Sequence, residues 1–201
     1  MLESIIKMRV VDTDESIIQG LRRTGLSKEM GSLESCSFLV LEEDNGKIVG
    51  AGGVGGLFNV PSLQIDKEYQ GKGIGKILLS ATLEEAKRRG YSFISGSRNP
   101  ENVRAIKLHD FHGFQPVFRI HYSQGMVRDI IILVLRPRGK IVAKFLSLFN
   151  NLIVTIILAC VLRIAKPLFR KVLTYPPEDF PDPDIKHIIS NFEKLPKIKI
   201  T

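Results

Sequence analysis

The stretch Gln70-Gly71-Lys72-Gly73-Ile74-Gly75 decides how this 201-residue chain is read. It lies between a strand candidate, Val60 to Asp66, and a helical run, Ile74 to Arg89. The period of that run places Ile77, Leu78, Ala81, Leu83 and Ala86 inward, turns Glu84, Glu85, Lys87, Arg88 and Arg89 outward, and stops at Gly90. Glycines permit positive φ and close backbone approach. A helix starting behind them points unpaired N–H groups and its positive dipole end into the loop. Such a loop is an anion site, most naturally for a pyrophosphate. It is not a Walker loop, because Gly75-Lys76 is followed by Ile77 rather than Ser or Thr. Nor does Gly71-x-Gly73-x-Gly75 have the spacing of a dinucleotide fingerprint.

Working outward, Ile5 to Val11 reads as a strand and Asp14 as the cap of a short helix reaching about Arg23. Gly25 to Ser35 is a loop or a ragged helix. Ser37 to Glu42 and Lys47 to Val54 flank Asp44-Asn45-Gly46, a strong hairpin signal. Gly50, Gly52, Gly53, Gly55 and Gly56 make the third strand glycine-rich, which leaves room for substrate or, the favoured reading, marks a bulge. The acidic residues Glu42, Glu43 and Asp44 read as a solvated hairpin tip. Tyr91 to Ser95, Gln115 to Tyr122 and Asp129 to Leu135 are further strands, and Asn102 to Phe111 is a helix stopped by Gly113. These elements predict a mixed α/β (α+β) fold: one twisted, mostly antiparallel sheet of about seven strands with helices on its faces.

Some thirty residues after the glycine loop stands Asn102-Val103-Arg104-Ala105-Ile106-Lys107-Leu108-His109-Asp110-Phe111-His112-Gly113-Phe114. The two motifs together, in this order, resemble the GNAT superfamily of acyl-CoA-dependent N-acetyltransferases over roughly residues 5–135. The resemblance implies a GNAT-like sheet and acetyl-CoA as acetyl donor, with no metal. Residues Gln70, Gly71, Lys72, Gly73, Ile74 and Gly75 would hold the pyrophosphate. Leu63, Gln64 and Ile65 would pair with the pantetheine like an added strand, and Asn102 would contact the cofactor near its reactive end. The implied reaction is direct: a neutral amine of a protein or small molecule attacks the thioester, and coenzyme A leaves as a thiolate that takes a proton. The family's usual acid is a tyrosine seven residues after the motif asparagine. Here that residue is His109, which is able to shuttle a proton near neutrality. The glutamate base of some relatives, five residues before the asparagine, is replaced by Ser97. Glu101, Glu68 and Asp66 read as solvated loop acids, so no base is named. The missing tyrosine and glutamate leave a second reading, a non-catalytic acyl-CoA-binding or scaffold protein.

The composition, 44% apolar and 25% charged, excludes a disordered or collagen-like chain. Cys36 and Cys160 stand alone, so neither a zinc site nor a disulfide framework is expected. The starting segment lacks the features of a signal peptide, which points to a cytoplasmic location. The net charge of +8 is unevenly placed: residues 1–135 hold 17 basic and 16 acidic side chains, residues 136–201 hold 12 and 5. The basicity belongs to the tail, so nucleic-acid binding by the whole chain is not expected.

A domain boundary is expected near Arg136–Gly139, giving a catalytic domain over 1–136 and a basic extension over 137–201. Residues 140–174 predict one long helix, kinked at Pro167, with a narrow polar stripe from Lys140 through Thr155 to Arg170. Phe145 to Leu162 carries no charge and is at the lower limit for a membrane span. Three placements of this helix follow: across a membrane, on a membrane surface, or packed on the catalytic domain or a second copy. A proline-rich linker, 175–184, and a short helix, Ile185 to Phe192, close the chain.

Overall fold

The computed structural model describes residues 6–24, 26, 31–56, 59–173 and 181–199. Ile5, part of the loop from Gly25 to Ser35 and most of the linker 175–184 lie outside them. The chain forms two compact units, Met1–Tyr91 and Ser92–Thr201.

The first unit runs β1 (Ile6–Asp12), α1 (Glu15–Arg22), α2 (Gly31–Glu34), β2 (Cys36–Asp44), β3 (Lys47–Gly55), β4 (Val60–Ile65) and α3 (Ile74–Arg88). Its four strands form an antiparallel sheet in the order β1-β2-β3-β4. Asn45 and Gly46, both at positive φ, make the β2–β3 turn that Asn-Gly predicts. Side chains alternate across the sheet. Leu39, Leu41 and Ala51 share one buried cluster with Ile18, Leu21, Leu26 and Leu33. Phe38, paired with Val54, turns to the other face, where the Arg89 guanidinium lies 4.7 Å from its ring centroid.

The glycines of β3 answer to close packing more than to the bulge. A Cβ on Gly52 would lie 2.5 Å from Thr82 Oγ1 of α3, so the missing side chain lets the helix sit on the strand. A Cβ on Gly55 would lie 2.1 Å from the Ser35 carbonyl oxygen. Backbone atoms do not step aside, so Gly55→Ala is expected to destabilise the chain by about 3 kcal/mol, read as a drop in the urea midpoint. A β-bulge does accompany this strand, where the register shifts at Glu42/Glu43.

The buried side of α3 carries Ile74, Leu78, Leu79, Thr82, Leu83, Glu85 and Ala86. Ile77 is 51% exposed, one position off the expected stripe. Glu85 is accommodated inside because Arg88 and Arg89 each reach it at 2.6 Å. The Arg88 hydrogen bond, chiefly, lowers its pKa to about 2.

The second unit runs β5 (Phe93–Arg98), α4 (Val103–Phe111), β6 (Gln115–His121), β7 (Val127–Val134), α5 (Gly139–Ser147), α6 (Leu152–Leu173) and α7 (Ile185–Ser190). Its sheet is antiparallel, in the order β5-β7-β6. Among the described residues the seven strands therefore divide four and three instead of forming one continuous ladder, since there β5 pairs with β7 and with no other strand. The expected boundary at Arg136–Gly139 falls inside this unit. Val117, Phe118, Ile120 and Ile132 of the sheet form one core with Ala143 of α5, Ala159 of α6 and Ile188 of α7. Gly139 makes the first contact possible, since a Cβ there would lie 2.1 Å from the Ser92 carbonyl oxygen.

The single long helix of the sequence reading is two helices bent by 101°. Two asparagines make the break. Asn151 Oδ1 accepts from the N–H groups of Ile153 (3.0 Å) and Val154 (3.4 Å), capping α6. Asn150 donates through Nδ2 to the Leu195 carbonyl (2.8 Å) and accepts the Leu195 N–H (3.0 Å), clasping the terminal segment. Gln115 holds Lys199 the same way. Thr155, expected on the polar stripe, is fully buried. The helix continues through Pro167. Among the described residues no single helix is long and apolar enough to cross a membrane.

Candidate functional site

In the first unit the glycine loop links the end of β4 to the start of α3. Asp66 ends the strand, and Lys67–Tyr69 forms a 3-10 turn whose Glu68 N–H donates to Asp66 Oδ1 at 3.2 Å. Gly71 (φ +81°) and Gly73 (φ +86°) then reverse the chain. A Cβ on either would meet nothing within 4 Å, so conformation alone demands glycine here. The surrounding space is open, as an anion cradle requires. Gly73 is the N-cap residue of α3 and supplies no side-chain cap. The N–H groups of Ile74 and Gly75 thus begin the helix with no acceptor among the described residues. A Cβ on Gly75 would lie 2.9 Å from Ile65 Cδ1, so this glycine brings the helix onto β4.

β4 is an edge of its sheet. The Asp66 N–H donates to the Val49 carbonyl of β3 at 2.9 Å. By strand alternation the main chain of Gln64 also faces β3, and that of Leu63 and Ile65 faces outward. Gln70 donates from Nε2 to the Ile65 carbonyl at 3.2 Å, clasping the loop to the strand end. Among the described residues the Leu63 N–H and C=O and the Ile65 N–H are the outward edge groups that alternation leaves. Lys72 Nζ stands 4.7 Å from the Tyr69 ring centroid, and the Tyr69 hydroxyl donates to Asp44 Oδ2 at 2.8 Å. Uncapped N–H groups, glycine backbone and a free strand edge fit a pyrophosphate with an amide-bearing arm.

Asp66 is not the solvated acid that its loop position suggests. It is buried, and Lys47 reaches it at 3.0 Å and lowers its pKa. Glu42 departs further from its reading. The hairpin tip is Asn45-Gly46, and Glu42 is fully buried in β2, cross-strand from Gly50. Neither carboxylate oxygen has a hydrogen-bond partner among the described residues, and burial raises its pKa. The signal for this was present: Phe38, Val40 and Glu42 follow the inward alternation of an otherwise apolar strand.

In the second unit, Asn102 and His109 stand on α4. Asn102 is its N-cap, with Oδ1 accepting from the Ala105 N–H at 3.0 Å. His109 lies seven residues on, on the same face and about 10 Å along the axis. It occupies the last turn, where the Phe114 N–H donates to its carbonyl at 3.0 Å across Gly113 (φ +80°). This is a Schellman ending, and its customary apolar contact is the His109 ring edge-on to Phe114, centroids 5.2 Å apart. Burial first, and Arg98 second, lower the His109 pKa below the ordinary imidazole value. Arg98, missed in the sequence reading, is a buried guanidinium on β5 held by Asp110 at 2.7 Å. Ser97 and Glu101 are exposed, and Glu68 is largely so. No group of His, Cys, Asp and Glu among the described residues is arranged to hold a metal ion.

Residues 10–114 match the family model described as "Acetyltransferase (GNAT) family". Structural similarity extends over about two thirds of the chain. The ribosomal-protein-S18-alanine N-acetyltransferase of Escherichia coli superposes with a TM-score of 0.53 at 16% identity, covering 65% of this chain and 95% of that one. A phosphinothricin acetyltransferase of Sinorhizobium meliloti, solved with acetyl-CoA, gives 0.51 at 16% identity, covering 64% and 89%. A putative acetyltransferase of Salmonella typhimurium, also with acetyl-CoA, gives 0.50 at 18% identity, covering 65% and 95%. No curated protein matches the sequence.

Proposed function

From a chain that belongs to the GNAT acetyltransferase family, we propose an enzyme that transfers the acetyl group of acetyl-CoA to an amine of a protein or small molecule. The observation that carries this reading is the uncapped α3 N-terminus behind two glycines at positive φ. Acetyl-CoA supplies an activated thioester. The N–H groups around Gly71 to Gly75 bind its pyrophosphate, and the helix dipole adds to the attraction. The outward Leu63 and Ile65 groups bind the pantetheine amides as a further strand would. Gln70 keeps loop and strand in register through the Ile65 carbonyl.

The roles of Asn102 and His109 come from the family resemblance. By that resemblance Asn102 would meet the reactive end of the donor. His109, seven residues on, would take the place of the family's acid. An imidazole gives up a proton most readily as the imidazolium, and its lowered pKa shrinks that form at neutral pH. If His109 is the acid, turnover falls as pH rises through the lowered value.

The test is calorimetric titration of the full-length chain with acetyl-CoA, followed by release of free thiol in the presence of candidate amines. Binding in the micromolar range is expected. No binding sinks the reading. His109→Phe is expected to lower kcat by about a hundredfold with affinity for acetyl-CoA kept. Unchanged kcat assigns His109 only to its packing on Phe114.

A further inference from the structure

The helices α5 and α6 each have two apolar sides. One side of each belongs to the core beneath, through Ala143 and Ala159. The other faces solvent. On α6 it consists of Ile153, Ile157, Val161, Ile164 and Leu168, spaced four, four, three and four residues apart, so they line one face. Ile164 is 81% exposed. On α5 it consists of Ile141 and Phe145, continued by the C-cap residue Leu148, with Ile141 at 71%. A helix that leaves so wide an apolar face in solvent, after burying another in the core, needs a second cover.

Charge selects among the covers. Residues 130–177 contain no aspartate or glutamate, against Arg136, Arg138, Lys140, Lys144, Arg163, Lys166, Arg170 and Lys171. Lys166 is committed to Asp182 at 2.6 Å. Arg138, Lys144 and Arg163 are exposed and have no acidic partner among the described residues. A two-fold contact through this face would offer these cations no acid from residues 130–177, since such an interface pairs a surface with itself. A span would require the 101° bend to straighten and the inner faces to leave the core. An apolar face on a segment that is rich in cations and free of acid over residues 130–177 matches an anionic lipid surface, where apolar side chains enter the headgroup boundary and cations meet lipid phosphates.

We propose that the exposed face of α5 and α6 docks this protein peripherally on anionic membrane, with Ile153, Ile157, Ile164 and Phe145 inserted and Arg138, Lys144 and Arg163 at the headgroups. This docking is independent of the acetyl-transfer reading.

The test is flotation of the full-length chain with vesicles of phosphatidylcholine alone and of phosphatidylcholine with one third phosphatidylglycerol, at low and high salt. Binding to the anionic vesicles is expected, with about tenfold or greater loss in the neutral ones and weakening by salt. The double variant Ile157→Glu, Ile164→Glu changes two exposed positions and should float about tenfold less while melting like the parent. Absence of the parent from anionic vesicles overturns the proposal. So does equal flotation with both vesicle types. A concentration-dependent dimer that the double variant abolishes would likewise overturn it, in favour of a second copy as the cover.

Discussion

Gly73→Val is expected to weaken acetyl-CoA binding ten- to a hundredfold, with little change in melting temperature. Gly73 sits at φ +86°, where a β-branched residue is strained by about 1–3 kcal/mol. Nothing within 4 Å of its absent Cβ holds the chain in place, so the loop relaxes out of that conformation at small cost to the fold. Relaxation swings the N–H groups of Gly73, Ile74 and Gly75 away from a common target, and those groups are the proposed anion site. Every 1.4 kcal/mol of lost binding is a factor of about ten. Gly73→Asn is the informative companion, because asparagine tolerates the left-handed region. It should keep most of the affinity. Calorimetry on the full chain reads both, and parent-like affinity in the valine variant removes the loop from the binding site.

Glu42→Leu is expected to stabilise the chain at neutral pH by about 1–3 kcal/mol, the range for removing a buried polar group without a partner. The carboxyl is fully buried and neither oxygen is hydrogen-bonded among the described residues. Burial raises its pKa above that of the unfolded chain. The folded state therefore binds this proton more tightly. Its contribution is fully present below the unfolded value and is lost as pH rises through the raised folded value. Glu85 has the opposite sign. Its pKa is lowered to about 2, so its contribution is present above the unfolded value and is lost as pH falls toward about 2. Urea unfolding across pH separates the two. In Glu42→Leu the decline on the alkaline side of the carboxylate range should flatten, and the acid limb due to Glu85 should persist. An equally steep decline in the variant shows that another group causes it.

The strands, the Asn45-Gly46 turn, the glycine loop and both motif helices were legible because they rest on local chemistry. Asparagine and glycine at positive φ, alternation in β2 and a glycine-started helix are properties of a few adjacent residues. Asn102 was legible as the start of α4 for the same reason. Asp66 and Glu42 were not, because the cover over an acid comes from distant chain. Lys47 of β3 pairs with Asp66, and the packing over the sheet buries Glu42.

The sequence by itself determined the tail's composition: apolar, basic and free of acid over residues 130–177. It did not determine the tail's shape, since α5 and α6 have helical periodicity on both sides of the break. Tertiary contacts decided that. Asn151 caps α6 locally, but Asn150 turns to the distant Leu195 backbone, and Ala143 and Ala159 seat both helices on β6 and β7. Local propensity acts over a turn or two, whereas the bend is set by partners 45 residues away in sequence. The face left outside follows from which face the core had already taken.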